Sequence, residues 1–145
     1  MEPGGPPVGL HLAATAKAVS RAFNAALAEA GGSLPMWLIL TSLRGEQWRT
    51  QHELARSLGI EGPTLTRHLD ALEGAGLVER RRDPADRRAI QVELTRAGEE
   101  LHSRLRRNVI AFDRQLRAGL GEAELKTLRS TLRRLEQNVA SPKEG

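Results

Sequence analysis

The stretch from 62 to 95, GPTLTRHLDALEGAGLVERRRDPADRRAIQVELT, constrains this chain more than any other. Leu65, Leu69 and Leu72 recur at helical spacing, Pro63 suits a first helical turn, and Gly74 and Gly76 end the pattern. Val78 to Arg82 and Ala89 to Leu94 then read as strands, because Ile90, Val92 and Leu94 alternate with polar residues and so bury one face. Between them lies the loop Asp83-Pro84-Ala85-Asp86-Arg87-Arg88, in which proline stiffens the turn. A helix with an inward leucine stripe is thus followed at once by a charged hairpin.

The flanks supply more helices. Leu10 to Ala30 carries Leu10, Ala14, Val19, Phe23, Ala26, Leu27 and Ala30 near helical spacing and stops at Gly31-Gly32. Ser33 caps a helix running through Met36, Trp37, Leu40 and Leu43 to about Arg44. Thr50 and Glu53 form a capping box opening a short helix with Leu54 and Leu58 inward, and Gly59 supplies its left-handed end. Thr95 caps a long helix bearing Leu101, Leu105, Val109, Phe112 and Leu116, which Gly119 and Gly121 break. The last helix has Leu125, Leu128, Leu132, Leu135 and Val139 at alternating steps of three and four, a seam for helix–helix packing. This order predicts a mainly α fold with a small β-hairpin wing (α+β): a winged helix-turn-helix over 33–95, inside a single domain over 10–145 that follows a disordered leader over 1–9. The amphipathic helices over 10–30 and 96–139 retain apolar stripes to cover, which suits a two-fold homodimer.

Composition narrows the function. Cysteine is absent, which excludes disulfides, thiolate metal sites and thiol-based oxidant sensing, and fits a reducing cytoplasm. No apolar run approaches the roughly 20 residues of a membrane span, so no membrane partner is expected. Net charge is +4, a modest bias toward polyanions, but between Glu79 and Arg88 five arginines face three acids. Six loop residues have no use in folding for so much charge. Arg104, Arg106, Arg107, Arg114 and Arg117 form a second cluster that reads as a solvated helix face. Enzyme motifs are missing: His52-Glu53-Leu54-Ala55-Arg56 places arginine where a zincin needs its second histidine, and no phosphate-binding or nucleophile-elbow motif occurs. No enzyme activity, cofactor or metal is expected, and His11, His52 and His102 lack ligand spacing.

With the leucines inside, Pro63, Thr64, Arg67, Ala71 and Gly74 point outward, and Thr66 and His68 lie on the flanks. That face is small except for Arg67, as close approach to a major-groove floor requires. A threonine methyl can meet a thymine methyl, its hydroxyl can bond base or phosphate, and arginine can fork onto guanine. Thr50 and Gln51, with the amides of their helix start, are candidates to hold one phosphate, with His52 beside them. In the loop, a carboxylate paired with a guanidinium would hold it extended for a narrow minor groove. Arg88 is then the minor-groove arginine, Asp86 its positioner and Arg87 a phosphate contact. Asp70 and Glu73 fall near the helix C-terminus, clear of phosphates. Double-stranded promoter DNA is the expected partner. A winged-helix protein-protein or RNA module is the alternative, and a ligand-independent activator another.

The order of elements and the run PTLTRHLDALEGAGLVERRRDPADRRAIQVELT resemble the multiple antibiotic resistance regulator (MarR) family of bacterial transcription factors. The likeness spans about Leu10 to Val139, and the Asp-x-Arg wing at Asp86 and Arg88 is its most specific part. The resemblance implies homodimers on palindromic operators, mostly repressors released by a small, often aromatic or phenolic acid. It puts Pro63, Thr64, Thr66, Arg67 and His68 on the recognition helix and Asp86, Arg87 and Arg88 on the wing tip. It further implies an effector site near His11, Met36, Trp37, Leu40, Arg44 and Phe112, where a cation takes the carboxylate and Trp37 stacks on a ring.

Overall fold

The computed structural model describes residues 4–45 and 49–140. In chain order the described elements are α1 (Val8–Glu29), α2 (Leu34–Leu43), β1 (Arg49–Thr50), α3 (Gln51–Leu58), α4 (Gly62–Gly74), β2 (Val78–Arg82), β3 (Ile90–Leu94), α5 (Arg96–Leu116) and α6 (Glu122–Ala140). The expected mainly α architecture with a small wing is what forms. α1 begins at Val8, so the last two residues of the expected leader are helical, and Met1 to Pro3 of that leader lie outside the described residues. By the density of their contacts, the residues divide into two compact units, Met1–Phe112 and Asp113–Gly145.

In the first unit, local chemistry sets each helix end. Ser33 Oγ accepts from the Met36 amide, and Pro35 occupies the first turn of α2. Thr50 Oγ1 accepts from the Glu53 amide at 3.1 Å. Gly59 ends α3 at φ 65°, a conformation that disfavours a side chain, and lets the Ile60 amide reach back to the Ala55 carbonyl. Thr95 works in two directions: its Oγ1 accepts from the Gly98 amide to cap α5 and donates to the Gly76 carbonyl at 2.6 Å. One hydroxyl therefore fastens the end of the hairpin to the turn that closes α4.

Leu27, Ile39, Leu40, Leu43, Leu54, Leu65, Leu69, Leu72, Val78, Val92, Leu101 and Leu105 form the core. Burying each leucine side chain contributes about 1.5–3 kcal/mol, so the inward stripe of α4 is a large share of what holds that helix down. Phe23 on α1 meets Phe112 edge-on, with ring centroids 5.3 Å apart. Asn108 Nδ2 donates to the Ala26 carbonyl at 2.8 Å, adding a polar tie between α1 and α5.

The sheet has one more strand than the hairpin alone: its order is β1-β3-β2, all antiparallel. Arg49 and Thr50 pair with Val92 and Gln91, so the residue that caps α3 also closes the sheet edge. Two residues are too short for alternation to show, which is why the sequence gives no sign of β1. In the hairpin, Val78, Arg80 and Arg82 lie opposite Leu94, Val92 and Ile90.

The start of α5 approaches the turn after α4 so closely that a Cβ on Gly98 would sit 2.1 Å from the Leu77 carbonyl oxygen. Backbone cannot yield as a flexible side chain can. Gly98→Ala is expected to destabilise the fold by about 1–3 kcal/mol, read as a lowered denaturation midpoint in urea. An unchanged midpoint would mean that α5 is not seated on that turn.

Candidate nucleic-acid interface

α3 and α4 pack as a helix pair, and the hairpin follows α4 directly. On α4, Pro63 and Arg67 are exposed, while Thr64, Thr66 and His68 are half-buried. Asp86, Arg87 and Arg88 are exposed at the hairpin tip. Between the start of α3, the start of α4 and the hairpin lies an open cleft of about 890 Å³, whose lining includes Gln51, His52, Gly62, Thr66, Asp86 and Arg88. Of the expected residues, Thr50, Gln51, Thr66, Asp86 and Arg88 line this concavity, whereas Pro63, Thr64, Arg67, His68 and Arg87 do not.

Two expectations about the hairpin charge need correction. Arg80 is not free for a polyanion. Its side chain is 16% exposed, and Nη2 lies 2.6 Å from Asp70 Oδ1 and 2.8 Å from Glu73 Oε1. Glu73 Oε2 also accepts from the Arg80 amide at 3.2 Å. The cause is strand alternation: Arg80 shares the inward face with Val78 and Val92, so its guanidinium is drawn toward α4 and must find acids there. Asp70 and Glu73 are thus not bystanders at the helix end, because they bind the hairpin to it. Part of the arginine cluster does serve the fold. The alternation from Val78 was the available signal, and it points Arg80 inward.

The second correction concerns Asp86. Its carboxylate accepts from the Arg88 backbone amide at 3.0 Å, not from a guanidinium. A short side chain two residues before an amide closes a local turn more readily than it reaches the end of an arginine. Asp83 does the same for the Ala85 amide at 2.8 Å, and Arg82 Nη1 donates to the Arg87 carbonyl at 2.8 Å. The loop backbone is therefore fixed on both sides of Arg87 and Arg88. Among the described residues neither of their guanidinium groups has an acidic partner. Asp86 positions Arg88 through the main chain, and both arginine heads face outward uncommitted.

At the helix pair, Gln51 Nε2 donates to Thr66 Oγ1 at 2.7 Å, and Thr66 Oγ1 donates to the Gly62 carbonyl at 3.0 Å. Thr50 is taken up as the α3 cap. His52 is exposed.

The expected effector residues separate. His11 is exposed on α1, Leu40 is fully buried in the core, and Phe112 packs on Phe23. Met36 lies half-buried against the core. Trp37 and Arg44 do converge, on a residue the sequence left aside. His102 of α5 is 3% exposed and stacks on Trp37 with centroids 5.0 Å apart and planes 12° from parallel. Arg44 Nη1 lies 3.0 Å from its Nδ1, and Thr41 Oγ1 lies 3.3 Å from its Nε2. A guanidinium only donates, so Nδ1 accepts and Nε2 carries the proton toward Thr41. His102 sits one position beyond Leu101, on the edge of the buried stripe. No group of residues that could hold a metal ion occurs among the described residues.

Burial holds the His102 pKa below its ordinary 6.5, and Arg44 and Arg106 push it the same way. Bonds from the Arg80 side chain hold Glu73 below its ordinary 4.5, against a smaller opposing effect of burial. Both shifts make the unfolded chain bind protons first, so stability is lost on acidification: for His102 as pH falls below 6.5, for Glu73 as it falls below 4.5. Thermal melts across this range are expected to show two descending segments, and His102→Gln to flatten the upper one alone. A flat wild-type profile around pH 6 would contradict a neutral, buried His102.

A sequence model of the MarR family matches residues 33–90. The chain is also similar to solved structures of transcription regulators. A transcriptional repressor, CouR, bound to a 23-mer DNA duplex is 30% identical, with a TM-score of 0.80, 90% of this chain covered and 92% of that one. A mutant of MarR from E. coli complexed with operator DNA is 28% identical, with a TM-score of 0.78 and coverage of 89% and 93%. A MarR-family transcriptional regulator from Rhodococcus is 25% identical, with a TM-score of 0.74 and coverage of 88% and 91%.

Proposed function

The chain belongs to the MarR family of DNA-binding transcription regulators, and on that premise we propose that it acts as a homodimeric repressor of promoter DNA released by a small aromatic acid. The observation that carries this reading is an open cleft between the helix pair and a braced loop, lined by Gln51, Thr66 and an uncommitted Arg88, with Arg67 exposed on the same helix α4. α4 enters the major groove, where Pro63, Thr64, Thr66, Arg67 and His68 meet base edges and phosphates. The wing tip reaches the neighbouring minor groove, with Arg88 inside it and Arg87 on a phosphate. Thr50 and Gln51 lie nearest the backbone at the start of α3. The CouR and MarR structures hold a 23-mer duplex and operator DNA, which is the partner proposed for this chain.

Dimerisation follows from exposed apolar surface. Val8 and Leu10 on α1 are 67% and 68% exposed, and on α6 Leu128 and Val139 are 47% and 86% exposed. Such side chains cost free energy in water, and a second copy covers them. A two-fold dimer sets its recognition helices about one duplex turn, roughly 34–36 Å, apart and so reads a palindrome. Sedimentation is expected to give twice the 15.9 kDa chain mass. A species of the single mass would contradict this arrangement.

For the effector, the Trp37–His102 stack supplies a flat aromatic surface and Arg44 a cation beside it. An acid bound there acts only through different affinities for the DNA-competent and released spacings. No single described helix is long and apolar enough to cross a membrane, and a promoter-binding repressor works in the cytoplasm.

The direct test is footprinting on the promoter of its own gene, with and without aromatic acids. Affinity is expected to fall steeply with salt, with Arg88→Ala reducing the salt slope by about 1. Arg67→Ala is expected to relax preference at one operator position at a cost of about 1–3 kcal/mol. Equal loss on every sequence would remove Arg67 from base reading.

A further inference from the structure

Thr66 is the one proposed base-reading residue whose hydroxyl is already spoken for. Its Oγ1 lies 3.0 Å from the Gly62 carbonyl, which can only accept, so the hydroxyl proton is directed there. One lone pair then receives Gln51 Nε2 at 2.7 Å. What remains on Thr66 is one acceptor lone pair and a methyl group, with no donor. The same chain fixes the orientation of the Gln51 amide. Its nitrogen must face Thr66, and its Oε1 is left buried without a hydrogen-bond partner among the described residues. Folding alone does not favour such an arrangement, since an apolar side chain at 51 would leave no acceptor stranded. A polar residue kept at that cost is one whose effect lies in the site beside it, and Gln51 and Thr66 both line the cleft facing Arg88.

We infer that Thr66 is a specificity-determining residue: with its proton held by the Gly62 carbonyl and one lone pair taken by Gln51, it meets a base as an acceptor only and so selects a base whose major-groove edge carries an amino group. The inference rests on α4 reading the major groove. There, adenine N6 and cytosine N4 are donors, whereas guanine presents N7 and O6 and thymine presents O4, all acceptors. An acceptor-only hydroxyl matches the first two and repels the second two. Gln51 itself does not touch the base. It takes one lone pair of Thr66, across the junction of α3 with α4.

The test is selection from a randomised duplex library, followed by affinity measurements on the selected operator. In each half-site one position should require adenine or cytosine. Replacing that nucleotide by its analogue lacking the amino group should weaken binding about fivefold or more, the low end of what one mismatched pair costs. Thr66→Val keeps the shape and the methyl but should lose this preference, while Thr66→Ser should keep it. Gln51→Ala leaves the hydroxyl proton on the Gly62 carbonyl, so amino-base preference at that position should persist. A wild-type protein that selects an operator without such a position, or a Thr66→Val variant that keeps the preference, would overturn this inference alone. A wild type that selects no duplex would overturn it together with the DNA-binding reading.

Discussion

Four bonds between Arg80 and the pair Asp70 and Glu73 decide where the wing stands relative to α4. Everything proposed for DNA depends on those two elements keeping one spacing, because a helix in one groove and an arginine in the next tolerate little relative movement. The clamp is built from strand alternation. A hairpin whose inward face is otherwise Val78, Ile90, Val92 and Leu94 carries Arg80 and Arg82 on that face, and for Arg80 the nearest helix offers two carboxylates three residues apart. A second tie lies at the base of the hairpin, where the Thr95 hydroxyl donates to the Gly76 carbonyl.

Stability and orientation have different sources here. Leu65, Leu69 and Leu72 hold α4 down through burial of about 1.5–3 kcal/mol each. The carboxylates of Asp70 and Glu73 are 60% and 42% exposed, so their ion pairs with Arg80 are worth about 0–1 kcal/mol apiece. Leucine packing is non-directional and would permit several settings of the hairpin. A forked guanidinium on two carboxylates permits one. The wing tip extends the same division: its backbone is fixed by Asp83, Asp86 and Arg82, and the heads of Arg87 and Arg88 remain available.

Much of this was legible in the residues. Leucine spacing located α4, glycines and caps located the helix ends, and the strands of the hairpin were visible apart from Ala89. Contacts made across the fold were less so. β1 is two residues long and exists only because Thr50 also pairs with β3. Arg80 looked like surface charge because the hairpin was read as a cluster, although alternation from Val78 already assigned it a face. His102 was passed over since a lone histidine beside a leucine stripe announces neither its Trp37 stack nor its Arg44 bond. The Asp86 contact was placed on the wrong atoms of Arg88, because sequence shows that an acid precedes an arginine but not that the main-chain amide is nearer. Among the residues proposed to face DNA, Thr66 shows the same limit: its type suggests an open hydroxyl, and only the fold brings Gln51 to it.

The clamp is tested most directly by hydroxyl-radical footprinting of Arg80→Met on the operator, beside methylation interference at its guanines. Methionine keeps the apolar stem and removes the fork, while the exposed carboxylates left behind stay solvated. If Arg80 sets the wing, the variant stays folded and keeps its major-groove guanine contacts but loses protection in the flanking minor grooves. Full minor-groove protection by the folded variant would contradict the account and place control of the wing elsewhere.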